Sequence, residues 1–586
     1  MPVIPQPSGV FSRSRRRLSA SSMVTWERCR RDWFLTRRLG LQVPKHPEMI
    51  LGIIVEEAVI SIWMERPHHT DGMAAGLSSW INGDAGEVMP IGSLDQLEQW
   101  LRTLMRPLVD EIRIRLNDAW NKSVWKADGR SPDDVKREKL NAMIKSAIKL
   151  QIEEAKNCLE ENGGPYLEFF RQNGDPFATP APCWDEGMGD GWQKQGDDCT
   201  WWEAWEISRP WAKDPRIDSA QRLFHPEGWA AGELDVAHRW RGGVHIVDIK
   251  ANRGSGRDHS GVATQLRFYQ WLWHQTRAHP ARGTDRVSSG PVEALKSWHL
   301  ADAFVHDAEL IEDIENETGR LFKIQSEMAA ASLEDLKLDG SKPDSSGRLG
   351  CEICHGLDTC DYPRGGKEQP LHRLIPEFEG SPSGAPFSPI SELPNRVTIR
   401  GSLHGHWGPL PNHYGDHVIG AAVTVGDKSA VIEEMSGGQF PDLHAHKGEV
   451  VISNAAPGQW RGMVRLYLDA DSSILKPEEA ANLEVSRLGL IPTRANVSGI
   501  VISRGSNSGV SASGKSWSMS TAHVWDGTGL VEVVAFGSGR SESFDNLMIG
   551  DNIRIMAAEL GWREGTPQLR IDPRNTRVTI EMSPPK

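Results

Sequence analysis

The sequence has no apolar run that approaches the ~18 residues needed to cross a membrane. Its arginine-rich beginning, SRSRRR, is not followed by the apolar segment that a secretory signal carries. Cysteine is scarce as well, with 7 in 586 residues, which excludes a disulfide-stabilised scaffold. We therefore expect a cytoplasmic protein with no membrane partner, whose cysteines stay reduced.

A surplus of positive charge is also missing. The formal net charge is -13, from 66 Lys and Arg against 79 Asp and Glu, which argues against a generally basic coat protein for nucleic acids. A local basic groove remains compatible with this charge, because charges interact over about 8 Å in physiological salt. The length exceeds one hydrophobic core and suggests roughly three to four domains.

The stretch from Gly232 to Lys250, GELDVAHRWRGGVHIVDIK, predicts a β-hairpin, because apolar runs flank the turn-forming residues 241–243. A turn centred between residues 241 and 242 places Asp235 opposite Asp248, and opposed Cβ atoms on antiparallel strands lie about 5 Å apart. Lys250 follows Asp248 by two residues and therefore shares its face of the strand. Two opposed carboxylates and a lysine favour a metal-dependent hydrolytic centre, and a solvated hairpin face with ordinary charges is the alternative.

Long helices are predicted before this hairpin. Residues 18–40 have a good helix start, with Ser21 or Ser22 as the N-cap. Residues 95–124 and 132–162 have the periodicity of long amphipathic helices. We expect these two helices to form a cap or arch over the core.

A buried helix is predicted over residues 49–63, and it carries an acidic pair, Glu56 and Glu57. Burying an unpaired carboxylate is costly, so one of the two is expected to face a site. Exposure of both on the outer face of the helix is the simple alternative.

Two further segments flank the hairpin. Residues 200–211 (TWWEAWEISRPW) alternate and predict a strand that pairs beside it. Residues 262–278 predict a helix in which Gln265 and Tyr269, four residues apart, share one face.

The cysteines cluster near the middle of the chain. Cys351 and Cys354 form a CxxC pair, and Cys360 follows closely, which favours a thiolate metal site over unpaired structural thiols. His355 is a local candidate for the fourth ligand of a zinc ion, and Cys29 is a distant candidate for a four-cysteine site. Spacing alone leaves zinc and an iron–sulfur cluster both open.

The second part of the chain has a different composition. Residues 366–394 are rich in Pro, Ser and Gly and predict a linker. A β-rich, OB-like domain is expected at 395–475, and five strands with one short helical link at 490–586 predict a barrel of the oligonucleotide-binding (OB) type. Within it, residues 509–516 (GVSASGKS) match the phosphate-loop pattern, but an alternating segment follows them, so we expect a loop between strands.

Taken together, these motifs resemble the RecB-like branch of the PD-(D/E)XK nuclease superfamily. Within it they are most similar to the iron–sulfur subgroup, which includes CRISPR-adaptation nucleases and the nuclease domains of helicase–nucleases. The resemblance covers roughly residues 18–365, with long unmatched stretches between its motifs, and these motifs are specific jointly and not singly. They are the opening LSxSxxxxxxxC (Leu18, Ser19, Ser21 and Cys29), GxxD (Gly232 and Asp235), DxK (Asp248 and Lys250) and QxxxY (Gln265 and Tyr269).

This resemblance implies an α/β fold, with a restriction-endonuclease-like nuclease core, a helical insertion and an iron–sulfur staple, followed by one or two small OB-type β-barrels. A flexible basic arm at 1–17 would precede the nuclease domain. The subgroup holds a 4Fe-4S cluster with one cysteine before the core and three after it, which favours iron–sulfur over zinc. The matching residues here are Cys29, Cys351, Cys354 and Cys360.

The resemblance also implies the roles of the site residues. Mg²⁺ or Mn²⁺ would be held by Asp235, Asp248, Glu56 and the backbone carbonyl of Ile249. Lys250 would orient the nucleophile or neutralise charge on the scissile phosphate. The DNA strand would be positioned by Gln265 and Tyr269.

One residue departs from the family pattern. The early GxxxH motif corresponds to Gly52–Glu56, so a glutamate stands where the metal-binding histidine is expected. A carboxylate is a good ligand for Mg²⁺ or Mn²⁺, which would preserve the site. An altered metal preference or a degenerate centre are the alternatives.

The expected function is that of an Mg²⁺- or Mn²⁺-dependent deoxyribonuclease, an exonuclease rather than an endonuclease, acting on single-stranded DNA or DNA ends. Its expected context is DNA repair, recombination or CRISPR adaptation, with a helicase or the proteins of those processes as partners. The OB domain would guide the strand, with Trp525 as one stacking platform and Phe536 either as a second platform or in the barrel core. A degenerate DNA-binding adaptor and a zinc-stapled structural subunit are the alternatives.

Overall fold

The structure is a computed structural model. It describes residues 17–38, 41, 45–65, 78–81, 88–123, 126–127, 129–173, 198–212, 222–278, 291–331, 387–394, 396–411, 417–434, 441–460, 463–469, 472–510, 516–537, 542–563, 566–572 and 575–581. The predicted arm at 1–17 (apart from Arg17), residues 366–386 of the predicted linker, and Cys351, Cys354 and Cys360 lie outside the described residues.

Within these segments, most helices lie in the first part of the chain. They are α1 (Ala20–Arg28), α2 (Arg30–Trp33, continued by a π-helical turn at Phe34–Arg38), α3 (Pro47–Trp63), α4 (Leu94–Thr103), α5 (Met105–Lys122), α6 (Arg137–Glu160), α7 (Tyr166–Asn173), α8 (Trp201–Ser208), α9 (Ser260–Ala278), α10 (Ile314–Ala330) and α11 (Glu542–Asp545). The long helices predicted from periodicity are therefore present, and a break at Leu104 divides the first of them.

The strands are concentrated in the sheet of the first part and in the second part of the chain. They are β1 (Ser78–Ile81), β2 (Val88–Ile91), β3 (Trp211–Ala212), β4 (Arg222–Phe224), β5 (Ala231–Glu233), β6 (Val236–His238), β7 (Val244–Lys250), β8 (Val292–His299), β9 (Phe304–Ala308), β10 (Val397–Pro411), β11 (His417–Val425), β12 (Lys428–Glu434), β13 (Gly448–Trp460), β14 (Met463–Leu468), β15 (Ser473–Leu475), β16 (Arg494–Val510), β17 (Ser516–Trp525), β18 (Leu530–Phe536), β19 (Asn552–Arg563), β20 (Thr566–Arg570) and β21 (Arg577–Glu581).

Two local predictions need correction, one of a helix start and one of a strand. The N-cap of α1 is Ser19, whose hydroxyl accepts a hydrogen bond from the backbone N–H of Ser22, so the helix begins earlier than predicted. The segment predicted as a strand at 200–211 is helical over α8, and only its last residue, Trp211, belongs to a strand (β3) that pairs beside the hairpin. Thr200 and Glu203 form a capping box there, with the Glu203 carboxylate accepting from the Thr200 N–H at 2.8 Å.

A five-stranded mixed sheet lies at the centre of the first part, in the order β3-β6-β7-β8-β9. β7 and β8 are parallel and α9 connects them, whereas the other neighbouring pairs are antiparallel. Alternate side chains of β7 pack into different clusters, because successive side chains of a strand point to opposite faces. Val247 and Ile249 join the cluster under α3–α6, and Val244 and Ile246 join the cluster under α1 and α9.

Two closed five-stranded barrels form the second part of the chain. The first closes in the order β10-β11-β12-β14-β13-β10, and the second closes in the order β16-β17-β18-β20-β19-β16. In both, the third and fifth strands are parallel, and the remaining pairs are antiparallel. This shared order is that of an OB-type barrel. The helical link expected before the fourth strand of the second barrel is α11.

The last residues of the predicted linker are packed against the second barrel. Ile390 and Leu393 are buried in the core of that barrel. The backbone N–H of Ile390 donates to the Asp526 carboxylate at 2.8 Å, and the N–H of Ser388 donates to the Asn496 carbonyl at 2.9 Å. These residues therefore pack on the second barrel, although composition assigns them to the linker.

The second barrel also shares a buried cluster with the first part of the chain. Ile500, Ile502 and Trp525 are buried among residues of α1, α9 and β7. Trp525 is only 5% exposed, so the prediction that it is a stacking platform is wrong. In the described part of the chain, no helix has both the length and the apolar character of a membrane span.

Candidate metal centre

The register of the β6–β7 hairpin brings the two predicted aspartates together. Val236 pairs with Val247 and His238 pairs with His245. The same register carried one step further places Asp235, which immediately precedes β6, beside Asp248. The Asp235 Oδ2 atom also accepts a hydrogen bond from the backbone N–H of Ile249 at 2.9 Å. The opposition expected from the centre of the turn is therefore present in the structure.

The other predicted polar residues converge on Asp248. The Lys250 Nζ atom lies 2.5 Å from Asp248 Oδ2. The Gln265 side-chain amide donates to Asp248 Oδ1 at 2.9 Å and lies 3.1 Å from the Tyr269 hydroxyl. The Gln265 carbonyl in turn lies 3.5 Å from Lys250 Nζ. Asp248, Lys250, Gln265 and Tyr269 thus form one hydrogen-bonded network beside Asp235.

Burial raises the pKa of both aspartates, and neighbouring negative charge adds to the shift of Asp235. Burial raises the pKa of Asp235 well above its usual range, and the charges of Asp248 and Glu56 raise it further. Burial also raises the pKa of Asp248, although Lys250 and a hydrogen bond with Asp235 act in the opposite direction. When two carboxylates share a site, one of them holds its proton to a higher pH than an isolated carboxyl does. A divalent cation would replace that proton.

The lysine responds to the same charges. Burial lowers the pKa of Lys250, but the attraction of Asp248 and Asp235 outweighs that effect, so the net shift is upward. Lys250 is therefore an ammonium ion at neutral pH. Burial likewise raises the pKa of Tyr269, so its phenol stays protonated and can donate a hydrogen bond.

The acidic pair on α3 divides between two environments. The charge of Glu56 raises the pKa values of both Asp235 and Lys250, which brings Glu56 into the electrostatic field of the centre. Glu57 forms an ion pair with Arg115 on α5 instead. The charge of one glutamate therefore acts on Asp235 and Lys250, and the other glutamate supports the packing of two helices.

The donor set fits a hard divalent cation. Asp235 and Asp248 supply two carboxylates, and Glu56, whose charge raises the pKa of Asp235, is the expected third. The backbone carbonyl of Ile249 remains a predicted ligand. Among the residues that the structure describes, no group of three or more His, Cys, Asp or Glu side chains lies close enough together to hold a metal ion. Mg²⁺ is usually bound by one or two carboxylates together with waters and substrate phosphates, so an incomplete carboxylate site suits it.

Of the four predicted cluster ligands, only Cys29 belongs to the described residues. It lies at the break between α1 and α2, where its Sγ accepts a weak hydrogen bond from the Asp32 N–H at 3.4 Å. The end of α10 lies beside this break, because Arg30 pairs with Glu327 at 3.0 Å. The chain therefore leaves α10 next to Cys29, some twenty residues before Cys351.

Two aromatic residues of the second barrel are exposed, although the sequence left one of them open and did not single out the other. Phe536 is 51% exposed, so it is not a core residue of the barrel. Trp517 is 43% exposed and was not singled out from the sequence. Both project from the same outer face of β17 and β18, since Met519 pairs with Phe536 and Trp517 lies two residues from Met519. The alternating sequence SWSMS was the available signal for Trp517.

No known protein family matches this chain, and no curated protein matches it by sequence. Solved structures give partial matches over about a third of it. A replication protein A heterotrimer bound to ssDNA has 16% identity and a TM-score of 0.14, covering 33% of this chain and 52% of that one. A murine DNA-binding protein bound with dsDNA has 18% identity and a TM-score of 0.13, covering 32% and 98%. The p204 HINb domain has 15% identity and a TM-score of 0.11, covering 32% and 97%.

This chain therefore spans about half the length of the replication protein A chain that it matches. TM-scores this low do not show that this protein shares the fold or the function of the matched structures. The OB-type assignment of the two barrels rests on their closed strand order.

Proposed function

We propose that this chain is an Mg²⁺- or Mn²⁺-dependent deoxyribonuclease that degrades single-stranded DNA or processes DNA ends. The observation that carries the proposal is the opposition of Asp235 and Asp248, with Lys250 on the face of Asp248. A paired carboxylate site with an adjacent ammonium group provides both metal ligands and a counter-charge for a phosphate. Such an enzyme would act in DNA repair, recombination or CRISPR adaptation. Its partners would be a helicase or other proteins of those processes.

The metal ion would be held by Asp235, Asp248, the Ile249 carbonyl and Glu56. When bound, it would lower the pKa of a water molecule and stabilise charge on the scissile phosphate. The ammonium group of Lys250, held beside Asp248, supplies a further positive charge for that phosphate.

The α9 residues fix the orientation of the centre. Gln265 holds Asp248 Oδ1 through its amide and contacts the Tyr269 hydroxyl with the same group. Because α9 crosses from β7 to β8, these side chains stand on a rigid helix above the carboxylates. Tyr269 and Gln265 would therefore position the DNA strand as well as Asp248.

The second barrel supplies a surface for a single strand. Trp517 and Phe536 are exposed on the outer face of its second and third strands, which is the face that OB barrels use for oligonucleotides. The Trp517 ring lies against Gly509 on the neighbouring strand, where a Cβ atom would come within 3.0 Å of the ring. Stacking on such fixed rings is tolerant of base sequence.

A 4Fe-4S cluster held by Cys29, Cys351, Cys354 and Cys360 belongs to the same proposal. It is supported by the half-buried position of Cys29 and by the arrival of α10 beside it. The cluster would join the start of the nuclease region to its end. Anaerobically purified protein should contain iron and absorb visible light. Cys29→Ser should lose both signals, whereas Cys158→Ala, in a separate buried cluster, should keep them.

The central experiment measures cleavage of end-labelled single-stranded DNA with Mg²⁺, with Mn²⁺ and with EDTA. Wild type should cleave only with a divalent ion, and Asp248→Asn should reduce the rate at least about 100-fold. Asp95→Asn is the matched control, because Asp95 is 74% exposed on α4, where it pairs with Lys156. Resistance of circular single strands would identify an exonuclease. Equal cleavage by wild type and Asp248→Asn would overturn the proposal.

A catalytically degenerate adaptor for single-stranded DNA is the second candidate. It is favoured by one observation, namely that Glu56 stands where the related nucleases carry a histidine ligand. An adaptor would bind single strands through the barrels, and it would show no cleavage with any divalent ion. The same assay, run beside a binding measurement, separates the two candidates.

A further inference from the structure

A row of polar and aromatic side chains crosses the sheet from the metal centre. On the parallel strands β7 and β8, Lys250 pairs with His299. On the antiparallel strands β8 and β9, His299 pairs with Phe304 and Ser297 pairs with His306. Paired residues of neighbouring strands share a face of the sheet. The row therefore begins at the proposed centre and ends at the edge strand.

His259, just before α9, covers the outer end of this row. Its ring centroid lies 4.4 Å from that of His306 and 5.4 Å from that of Phe304, and the interplanar angles are only 19° and 13°. All three rings are partly exposed, whereas His299 behind them is only 2% exposed. We call His259, Phe304 and His306 the ring cluster.

The buried base of the ring cluster is held firmly. His299 contacts the Asn252 side chain at 2.7 Å through Nδ1 and the Ser297 hydroxyl at 3.1 Å through Nε2. Burial lowers the pKa of His299 to about 4 and also lowers the pKa of His306. These two imidazoles are therefore neutral at pH 7, and they present flat, uncharged rings.

The loop between Lys250 and His259 is fixed over the ring cluster by Asp302. The Asp302 carboxylate accepts hydrogen bonds from the Gly254 N–H at 3.0 Å, and from the N–H and hydroxyl of Ser255 at 3.1 and 2.7 Å. Glycine is required at 254, because a Cβ atom there would lie 2.3 Å from the Phe304 ring. This closeness keeps the loop in one position.

The fixed loop presents two arginines to solvent. Arg253 and Arg257 are exposed, and within the described segments neither guanidinium forms an ion pair. Guanidinium groups pair with phosphates, and aromatic rings stack on bases. Both kinds of group occur together here, next to Lys250.

We propose that the ring cluster is a nucleobase subsite, which stacks on one base of the DNA strand next to the scissile phosphate while Arg253 and Arg257 contact the adjoining phosphates. The identity of the ligand as a single DNA strand rests on the proposed function. The subsite would fix the register of the strand against the carboxylates. It therefore determines which phosphodiester bond reaches the metal centre.

The test uses single-stranded DNA with 2-aminopurine at successive positions, bound to full-length protein in EDTA so that cleavage plays no part. Stacking on the ring cluster should quench the fluorescence at one position. His259→Ala and His306→Ala should abolish that quench and weaken binding about 5- to 150-fold. His259→Phe should retain both, because it keeps an aromatic ring. His274→Ala, exposed on the opposite end of α9, is the matched control.

The salt dependence of DNA binding provides a second readout. It would not change if the ring cluster had only a structural role. Replacing Arg253 and Arg257 by Gln should remove about two phosphate contacts. The slope of log Kd against log salt should fall accordingly, because it is proportional to the number of such contacts. His306→Ala should leave this slope unchanged. Thermal unfolding of each variant verifies that it is folded.

The outcomes separate this inference from the proposed function. A position-specific quench that His259→Ala removes supports the subsite, even if wild type cleaves nothing with Mg²⁺ or Mn²⁺. Unchanged quenching and unchanged binding in both alanine variants overturn the subsite, even if wild type is an active nuclease. A loss of binding that His259→Phe does not restore also counts against base stacking.

Discussion

The ring of Tyr269 packs directly over Gly232. A Cβ atom at 232 would lie 3.1 Å from Tyr269 Cε1 and 3.0 Å from Leu272 Cδ2, closer than side chains normally approach. Gly232 lies on β5 at the start of the segment that contains Asp235, whereas Tyr269 belongs to α9. The absence of a side chain at 232 therefore lets α9 approach the hairpin closely enough for Gln265 to reach Asp248.

We expect Gly232→Ala to push Tyr269 and Leu272 away from the hairpin. Overpacking of this kind costs about 1–3 kcal/mol of stability, and displacement of Gln265 should lower the cleavage rate by about 10- to 100-fold. Gly319→Ala is the matched control, because nothing lies within 4 Å of a Cβ atom at that position on α10. Thermal unfolding and the cleavage assay measure the two effects. Equal behaviour of both alanine variants would contradict the packing argument.

The two neighbouring glutamates on α3 offer a direct test of the proposed third metal ligand. Glu56→Gln removes a charge that acts on Asp235, so calorimetric titration should show Mg²⁺ affinity weakened by about tenfold or more. Glu57→Gln should have little effect on that affinity, because its carboxylate pairs with Arg115. Glu56→His should shift preference from Mg²⁺ towards Mn²⁺, since imidazole is a poor ligand for Mg²⁺. If both glutamine variants bind Mg²⁺ like wild type, Glu56 is not a ligand.

The aromatic residues of the second barrel should separate into a binding residue and a packing residue. Trp517→Ala should weaken binding of single-stranded DNA by about 5- to 150-fold and leave thermal stability nearly unchanged, because Trp517 is exposed. Trp525→Ala should instead destabilise the protein by about 3–5 kcal/mol, because Trp525 is buried against the first part of the chain. Fluorescence anisotropy and thermal unfolding test the pair. A Trp517→Ala variant with full affinity would exclude this face as the DNA surface.

The pKa of Asp235 predicts how the metal-free protein responds to pH. The pKa of this carboxyl is 3.8 in an unfolded chain and is raised well above that value by burial in the folded protein. Below 3.8 the group is protonated in both states. As pH rises, the unfolded chain releases its proton first, so the free energy of unfolding falls until the raised folded pKa has been passed.

Asp235→Asn should therefore raise the melting temperature in EDTA at pH 8, relative to wild type, and have no such effect at pH 4. Mg²⁺ should stabilise wild type at pH 8 but not the variant, because the ion replaces the proton between Asp235 and Asp248. The exposed Asp95→Asn serves as the control for a lost surface charge. A variant less stable than wild type in EDTA at pH 8 would show that the buried charge is compensated without metal.

The register of the hairpin was predictable because it depends on local sequence. Turn residues 241–243 set the pairing, and the two-residue period of a strand then fixes the faces of Asp248 and Lys250. The strand order of the second barrel followed from the spacing of its apolar runs in the same way. A strand was predicted in place of helix α8, because the alternating run of tryptophans is compatible with either. The capping box at Thr200 and Glu203 favours the helix.

Exposure could not be predicted from the same patterns. Trp517 and Trp525 lie on the same strand and the same face, and sequence gives no reason to separate them. Only the docking of the second barrel on the first part of the chain covers Trp525 and leaves Trp517 open. Contacts between distant segments decide such questions, and no local period records them.

Local sequence was sufficient to place Asp235, Asp248 and Lys250 at one end of a hairpin, because that arrangement needs only neighbouring residues and a tight turn. Long-range packing was needed to bring Gln265 and Tyr269 to Asp248, to place the charge of Glu56 near Asp235, and to pair Lys250 with His299 in the row of rings. Each of these depends on how a helix or a second strand packs against β7. Packing is set by the shapes of side chains far apart in the chain, such as Gly232 against Tyr269.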